Sequence, residues 1–263
     1  MIVLLSPAKS LDFESEPPFD ESSEIRFAEE TEYLVGKLKK MSARKLKSLM
    51  NISEDLAQLN AERYAQWSLP FTEKNSKQAI FAFTGDVYQG LEAQTLKESD
   101  LTYAQDHIRI LSGLYGILRP LDRIQPYRLE MGTKWTITPK KNNLYKFWRE
   151  KLTQEMEREM KNQDEKIILN LASNEYSKAV DLKKLGAKVI SPEFKEDKGD
   201  KYQMISFFAK KARGMMARYV VENRIEKIED LRGFDSEGYH FNNELSDTEN
   251  NKWVFTRIYE SNQ

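Results

Sequence analysis

The order of apolar and polar positions predicts a chain that mixes strands and helices. Short runs of consecutive apolar residues indicate strands, and apolar positions spaced by three or four residues indicate helices. Residues 78–84 fit either a strand or a buried helix, and residues 112–135 fit a long loop with short strands. The predicted strands are residues 2–5, 107–111, 167–171, 187–190 and 252–258. The predicted helices are residues 25–40, 43–50, 54–67, 143–161 and 203–223.

These elements predict one mixed domain. The strands at 167–171 and 187–190 flank a helical stretch, which is the pattern of a βαβ unit. No segment of the sequence repeats, and no low-complexity linker interrupts it. We therefore expect a single α+β domain over residues 1–263.

Composition narrows the chemistry that such a domain can perform. The chain has no cysteine and two histidines, which excludes a disulfide framework, a thiolate zinc site and a cysteine nucleophile. We therefore expect no metal and no other cofactor. The apolar start at residues 1–5 is too short for a signal peptide, and no later run is long enough to span a membrane. These features predict a soluble, cytoplasmic protein without a membrane partner.

Charge is unevenly distributed along the chain, although the net charge is only −1. Residues 12–32 hold nine acidic residues and one arginine, whereas residues 106–151 hold ten lysines and arginines and four acidic residues. Residues 201–224 hold six basic residues and one acidic residue. Such segregation predicts a negative and a positive surface, and the positive one suits a polyanion such as nucleic acid. Each charge run is also explained by the solvated face of a helix.

The predicted helices at 43–50 and 54–67 fit a helix-hairpin-helix pattern. The turn between them carries Asn51 and Ser53. Asn51 tolerates the left-handed conformation, and Ser53 is a good N-cap for the second helix. In that motif, the turn and the start of the second helix point backbone N–H groups at a DNA phosphate. The element would occupy about residues 43–67.

Charged residues beside this turn would have opposite effects on phosphate binding. Glu54 and Asp55 would repel a phosphate, whereas Lys45 and Lys47 would attract it. An ordinary pair of packed helices has the same apolar pattern. The sequence therefore leaves both interpretations open, and it makes Lys45, together with the two turn residues, a candidate DNA contact.

Residues 112–135 combine glycines and prolines with more apolar residues than an exposed loop needs. Such a rigid frame would hold its cations in fixed positions. Arginine suits phosphate because its planar fork makes paired hydrogen bonds. Local ion pairs of Arg119 with Asp122 and of Arg128 with Glu130 are the alternative. The candidate DNA contacts in this segment are Arg119, Arg123, Arg128 and Lys134.

Residues 168–179 run from a strand directly into a helix that Ser173 or Asn174 would cap. The start of a helix offers N–H groups and the positive end of its dipole to an anion. Lys178 lies one turn further on and is a candidate DNA contact. Glu175 either satisfies the helix dipole itself or is the carboxylate of a catalytic site.

The predicted helix at 203–223 has a cationic sector on one side. The opposite side, which includes Met204, predicts a core stripe. Gly214 costs the helix about 1 kcal/mol relative to alanine, which favours a packing or binding reason for it. Phe207 shares the cationic sector, where it either stacks on bases or makes a tertiary contact. The members of the sector are Gln203, Lys210, Lys211, Gly214 and Arg218.

Several strings resemble those of the YaaA family of peroxide-stress proteins, and they extend over residues 1 to about 258. The resemblance implies a mixed α+β fold with a helix-hairpin-helix element and a positively charged cleft. It also implies binding to duplex and branched DNA, and a role in limiting iron-driven damage under hydrogen peroxide stress. The strings are Ser6-Pro-Ala-Lys9, Phe83-Thr-Gly-Asp-Val-Tyr-Gln-Gly90, Leu114-Tyr-Gly-Ile-Leu-Arg-Pro-Leu-Asp122, Pro126-Tyr-Arg-Leu-Glu-Met-Gly132, Asn170-Leu-Ala-Ser-Asn-Glu-Tyr-Ser177 and Trp253-Val-Phe-Thr-Arg257.

Two functions compete for these residues. The first is a DNA-binding protein without catalytic activity, which contacts phosphates with little sequence preference. The second is an enzyme acting on a nucleobase, a nucleotide or a DNA lesion, with a lysine as Schiff-base nucleophile. We favour the first function, because the sequence contains no complete catalytic triad or P-loop and lacks the long apolar stripe of a protein scaffold. The candidate catalytic residues of the second are Lys9, Asp86, Glu130, Glu175, Lys178 and Lys195.

Overall fold

The computed structural model describes residues 1–163 and 165–259, whose strands form a five-stranded and a four-stranded sheet in a mixed α+β arrangement. The strands are β1 (Ile2–Leu5), β2 (Ser10–Leu11), β3 (Lys77–Gln78), β4 (Phe83–Thr84), β5 (Ile108–Ser112), β6 (Gly116–Leu118), β7 (Arg123–Ile124), β8 (Ile167–Asn170), β9 (Lys188–Ile190), β10 (Glu193–Asp197), β11 (Tyr202–Gln203), β12 (His240–Phe241) and β13 (Val254–Ile258). The helices are α1 (Ala28–Leu38), α2 (Ala43–Met50), α3 (Glu54–Gln66), α4 (Ala79–Ala82), α5 (Asp86–Leu91), α6 (Glu98–His107), α7 (Leu144–Glu159), α8 (Asn174–Ser177) and α9 (Ser206–Glu222), with 3₁₀ turns at Ala93–Thr95, Ile228–Gly233 and Ser236–Gly238.

The first sheet has the strand order β6-β5-β1-β8-β9. Strands β5, β1, β8 and β9 run parallel to one another, and β6 is antiparallel to β5. Every residue of β1 and β8 is buried, which explains why these strands are continuous apolar runs in the sequence. Parallel strands end at the same edge of a sheet, so the segments that follow β1, β5 and β8 are brought together there.

The second sheet has the order β11-β10-β13-β12. Its inner face packs aromatic rings against one another, with Phe194 and Phe255 stacked at 5.7 Å between their centroids. One acidic side chain, Glu196, is buried on this sheet. It accepts hydrogen bonds from Arg257 Nε, at 2.8 Å, and from the Tyr239 hydroxyl. This pairing compensates the cost of removing a carboxylate from water.

A glycine contact joins α5 to α9. A methyl group on Gly214 would lie 2.8 Å from the backbone nitrogen of Leu91 and closer still to the carbonyl oxygen of Val87. On the other helix, a methyl group on Gly90 would lie 3.0 Å from the nitrogen of Met215. Gly214 therefore serves the packing of α9 against α5.

Most of the predicted elements are confirmed, with their ends shifted by a few residues. Residues 78–84 are neither one strand nor one helix, because the short helix α4 separates β3 from β4. The predicted helix at 203–223 begins at Ser206, since residues 202–203 pair with β10. The expected core position of Met204 is wrong: its exposed fraction is 49%.

Two further predictions concern the bounds of the domain and the absence of membrane-spanning helices. The predicted domain of residues 1–263 includes residue 164 and residues 260–263, which lie outside the described residues. Within the described residues, no helix is long and apolar enough to cross a bilayer.

Candidate functional site

The segments that follow β1 and β8 meet at the carboxyl edge of the first sheet. These strands are neighbours, with Leu4 opposite Asn170. Beyond them, the backbone N–H of Ser173 donates a hydrogen bond to Ser6 Oγ at 2.9 Å. The Tyr88 hydroxyl donates to the carbonyl of Ser6 at 3.0 Å. Ligand sites in parallel sheets lie at this edge, and three of the family-like strings meet here.

The turn between α2 and α3 has the local conformation that its sequence predicts. Asn51 follows the last residue of α2 and is left-handed, with φ 51° and ψ 57°. Ser53 then caps α3, its hydroxyl accepting from the N–H of Leu56 at 3.3 Å. Across the turn, Lys47 pairs with Glu54 at 2.7 Å. This ion pair offsets part of the negative charge at the start of α3.

A cavity of about 880 Å³ lies between this turn and residues 130–134, and we call it the turn cavity. It gathers candidates from three separate stretches of sequence. Two lysines and two glutamates line it, so its formal charge is balanced. The charged and turn residues that line it are Lys45, Asn51, Glu130, Lys134 and Glu175.

The two carboxylates of the turn cavity are held differently. Glu175 Oε1 accepts the backbone N–H of Gly132 at 2.8 Å. A methyl group on Gly132 would lie 3.0 Å from that oxygen, so only glycine approaches the carboxylate without displacing it. Glu130 pairs with Lys9 at 3.0 Å and with Arg128 at 3.2 Å. Glu175 therefore holds α8 against the loop, and Glu130 is shared between two cations.

Buried tyrosines form the floor beneath these loops. The Tyr64 hydroxyl donates to the carbonyl of Arg128 at 2.5 Å, and the Tyr127 and Ser112 hydroxyls are 2.6 Å apart. Burial raises the pKa of Tyr127 and of Tyr176 well above the ordinary value. These phenols therefore stay protonated at neutral pH, and buried tyrosine hydroxyls such as that of Tyr64 hold the neighbouring backbone in place by hydrogen bonds. Sequence reasoning missed them, although Tyr88, Tyr115, Tyr127 and Tyr176 each belong to one of the family-like strings.

A second cavity, of about 630 Å³, lies between the start of α7 and the end of α8, and we call it the basic cavity. Its acidic lining residues are Glu150 and Asp181. Of its six cations, only Lys184 forms an ion pair within the described residues, with Glu157 at 3.5 Å. Arg149 donates instead to the carbonyl of Lys178 at 2.8 Å. The six cations are Lys140, Lys141, Lys146, Arg149, Lys178 and Lys184.

Helix α8 separates the two cavities. The side chain of Glu175 lines the turn cavity, whereas its carbonyl accepts a hydrogen bond from the Tyr145 hydroxyl at 2.9 Å. Tyr145 lines the basic cavity. The turn cavity and the basic cavity are therefore linked through Glu175, with Lys45 and Lys134 lining the first and Lys178 lining the second.

The remaining arginines of the 112–135 segment have partners inside the protein. Arg119 pairs with Asp122 at 2.9 Å, as the alternative reading of the sequence proposed. Arg123 donates to Ser22 Oγ at 2.9 Å and to the carbonyl of Ser76 at 3.1 Å.

Three of the four cations of α9 are likewise paired with acidic groups of the protein. Lys210 pairs with Asp86 at 3.4 Å, and Lys211 pairs with Glu237. Arg218 pairs with Glu222 at 2.7 Å. These three side chains line the contacts of α9 with neighbouring elements.

The candidate catalytic residues are dispersed. Lys9 and Glu175 both lie near Glu130, whereas Asp86 is at the α5–α9 contact. Lys195 lies on β10 and pairs with Glu193 at 2.8 Å, and Lys178 lines the basic cavity. Among the described residues, no three histidine, aspartate or glutamate side chains are arranged to hold a metal ion.

Comparisons with known proteins agree on one family. A family model described as "Peroxide stress protein YaaA" matches residues 1–245. A UPF0246 protein of Hahella chejuensis is 50% identical over 98% of this chain and 99% of its own length. UPF0246 proteins of Ralstonia nicotianae and Colwellia psychrerythraea are 51% and 47% identical, each over 98% of this chain and 99% of their own length.

Proposed function

The chain belongs to the YaaA family of peroxide-stress proteins, and on that premise we propose that it binds double-stranded or branched DNA through the phosphates. The basic cavity carries this proposal. Its six cations face two carboxylates, and five of the six have no ion-pair partner among the described residues. Lysine and arginine side chains gathered in this way suit phosphate, because each contact releases counterions condensed on the DNA.

The turn between α2 and α3 supplies a second phosphate contact in this proposal, as a helix-hairpin-helix element would. The N–H groups of Ser53, Glu54 and Asp55 make no hydrogen bond within the described residues. They lie at the start of a 13-residue helix, where the dipole favours an anion. The Lys47–Glu54 ion pair reduces the repulsion that Glu54 would exert on a phosphate.

In this proposal one DNA backbone runs past α8 from the turn cavity to the basic cavity, since Glu175 in α8 lines the first and Lys178, which follows α8, lines the second. Lys45 and Lys134 would extend the contact on one side, and Lys178 on the other. Such contacts read the backbone and give little sequence preference. Arg119, Arg123, Lys210, Lys211 and Arg218 contribute less in this proposal, because each is engaged within the protein.

The proposed role under peroxide stress follows from covering DNA. A bound protein shields the sugars and bases beneath it from radicals that iron and hydrogen peroxide generate. This mechanism needs no iron site on the protein itself.

The test compares two triple variants that remove the same charge. K140Q/K141Q/K146Q changes three lysines of the basic cavity, and K40Q/K161Q/K227Q changes three exposed lysines elsewhere. Duplex and four-way-junction DNA are titrated by fluorescence anisotropy at several salt concentrations. We expect the first variant to weaken binding by at least about tenfold at low salt and to flatten the salt dependence by about 3 in log–log slope, with the second near wild type. Equal loss in both variants would reject the basic cavity as the contact.

A second function, catalysis on a nucleobase or a DNA lesion, is favoured by one observation. The turn cavity places Glu130 and Glu175 together, and Lys9 pairs with Glu130. These are an acid–base pair and a potential amine nucleophile. Borohydride should then trap an adduct on DNA with an abasic site, and Lys9→Met should abolish it while Lys211→Met should not. If the wild-type protein binds the same DNA and forms no adduct, this function is rejected.

A further inference from the structure

Exposed apolar side chains gather at one end of the second sheet. Eight large hydrophobic side chains are exposed among the described residues. Three of them, Tyr202, Met204 and Phe207, lie between the edge strand β11 and the first turn of α9. A fourth, Ile258, lies across β10 from Tyr202, because Asp197 pairs with both residues. Single exposed apolar residues are normal, whereas a cluster marks a surface that binds something. We call these four residues the aromatic patch.

Phe207 is held in place and yet open to solvent. Its exposed fraction is 50%, and its ring packs edge-on against that of Phe208, with the centroids 5.6 Å apart. Phe208 is itself fixed, since the Arg257 guanidinium lies 4.7 Å from its centroid. The sequence left two roles open for Phe207, stacking on bases or a tertiary contact. The contact with Phe208 restrains the ring, and half of its surface stays free for a ligand.

Lysines border the aromatic patch without giving it an excess of charge. Lys198 and Lys201 are exposed on the hairpin between β10 and β11, and neither forms an ion pair within the described residues. Lys198 Nζ lies 4.6 Å from the centroid of the Tyr259 ring. Asp197 and Asp200 lie on the same hairpin and balance its formal charge. A polyanion alone gains little from such a surface, whereas the flat, uncharged face of a base stacks on an exposed aromatic ring with lysines beside it.

A chain of contacts connects the turn cavity to the aromatic patch. Glu130, in the wall of the turn cavity, pairs with Lys9 at 3.0 Å. Lys9 precedes β2 and Asp86 comes shortly after β4, and the antiparallel pairing of these strands brings the two residues near each other. Asp86 pairs with Lys210 at 3.4 Å, and Phe207 lies one turn before Lys210 on α9. A DNA strand that leaves the turn cavity can follow this path to Phe207.

We propose that the aromatic patch stacks unpaired bases of a DNA strand, at a single-stranded end or at the branch point of a junction. Phe207 and Tyr202 each supply a ring face, and Met204 and Ile258 supply apolar surface beside them. The bases of an intact duplex are stacked on one another and cannot reach such a ring. The inference rests on the proposed DNA binding, and it adds the class of DNA that the protein prefers.

The first measurement separates the bases from the phosphates. Fluorescence anisotropy compares a labelled single strand of about 20 thymidines with an abasic strand of the same length, which keeps the sugars and phosphates. We expect the wild-type protein to bind the thymidine strand at least about tenfold more tightly. Phe207→Ala and Tyr202→Ala should each weaken binding of the thymidine strand by about fivefold or more and leave the abasic strand unchanged. Phe207→Trp keeps a stacking ring and should bind as the wild type does.

Tyr33→Ala is the matched control, because Tyr33 on α1 is a tyrosine with an exposed fraction of 45% outside the patch. It should leave the affinity for both strands unchanged, and thermal unfolding checks that every variant folds. The proposal is overturned if the wild type binds neither strand, if it binds both equally, or if Phe207→Ala behaves as Tyr33→Ala does.

A fully paired duplex tests the proposed function separately. If the duplex binds and unpaired bases add nothing, DNA binding stands and base stacking is rejected. If the thymidine strand binds through Phe207 and the duplex does not bind, base stacking stands and duplex binding is rejected. Sedimentation equilibrium tests a second copy of the chain as the occupant of the patch. Self-association that Phe207→Ala abolishes, without a preference for the thymidine strand, would assign the patch to contacts between copies and overturn the proposal.

Discussion

Replacing Gly214 by alanine should destabilise the protein, although alanine is the better helix former. Intrinsic propensity alone would stabilise α9 by about 1 kcal/mol. The added methyl group would lie 2.8 Å from the nitrogen of Leu91 and closer to the carbonyl of Val87, both of which are backbone atoms of α5. Backbone cannot rotate away as a side chain can, so the two helices must separate. Overpacking costs about 1–3 kcal/mol, and contacts with backbone favour the upper end of that range. After the gain of about 1 kcal/mol from helix propensity, we expect a net loss of about 2 kcal/mol.

Gly36 in α1 is the matched control. It is also inside a helix, and a methyl group there would meet nothing within 4 Å. Gly36→Ala should therefore raise the free energy of unfolding by about 0.5–1 kcal/mol. Urea unfolding followed by circular dichroism measures both changes. A Gly214→Ala variant that gains stability as Gly36→Ala does would refute the packing role and reopen α9 as a binding face.

Two further predictions concern the turn and the acidic segment. Ser53→Pro should leave the protein folded, at a cost of about 1 kcal/mol for the lost helix cap. It should weaken duplex binding in an anisotropy titration, because one phosphate-facing N–H is lost. Unchanged affinity would mean that α2 and α3 are a packing unit only. Asp12 accepts N–H groups of Glu14 and Ser15, and the hydrogen bonds from Ser15 above all lower its pKa to about 2. A carboxyl whose pKa is lowered on folding stabilises the protein above its ordinary pKa, and this effect is lost as the pH falls towards 2. Asp12→Asn should therefore be less stable than wild type at pH 7. The free energies of unfolding of the two proteins, measured by urea titration, should converge near about pH 2.

The sequence predicted those elements whose apolar pattern is local. It missed α6, in which few of the ten residues are apolar, and α5, which is short and contains Gly90. It also missed β10, because Glu196 occupies one of its inward positions. That carboxylate is tolerated only through Arg257 and Tyr239, which come from distant parts of the chain. A pattern of alternating polarity does not reveal such a pairing.

The candidate site was predicted residue by residue but not as an arrangement. The left-handed conformation of Asn51 and the capping role of Ser53 were predicted correctly, because helix caps depend on neighbouring residues alone. The basic cavity was not predicted, because Lys178 comes near the lysines of α7 only through the packing of α8 beside that helix. The excess of positive charge in residues 106–151 was the one signal of it. Whether a given arginine faces solvent or an acidic partner, as Arg119 faces Asp122, is decided by tertiary contacts.

The salt dependence of duplex binding by the wild-type protein tests the central proposal most directly. Five cations of the basic cavity have no ion-pair partner among the described residues. If these neutralise about five phosphates, the slope of log K against log salt concentration should be about −4 to −5. Fluorescence anisotropy with a labelled duplex, between about 50 and 200 mM salt, gives this slope. A slope near zero, or no binding at the lowest salt concentration, contradicts the proposal that this protein binds DNA through its phosphates.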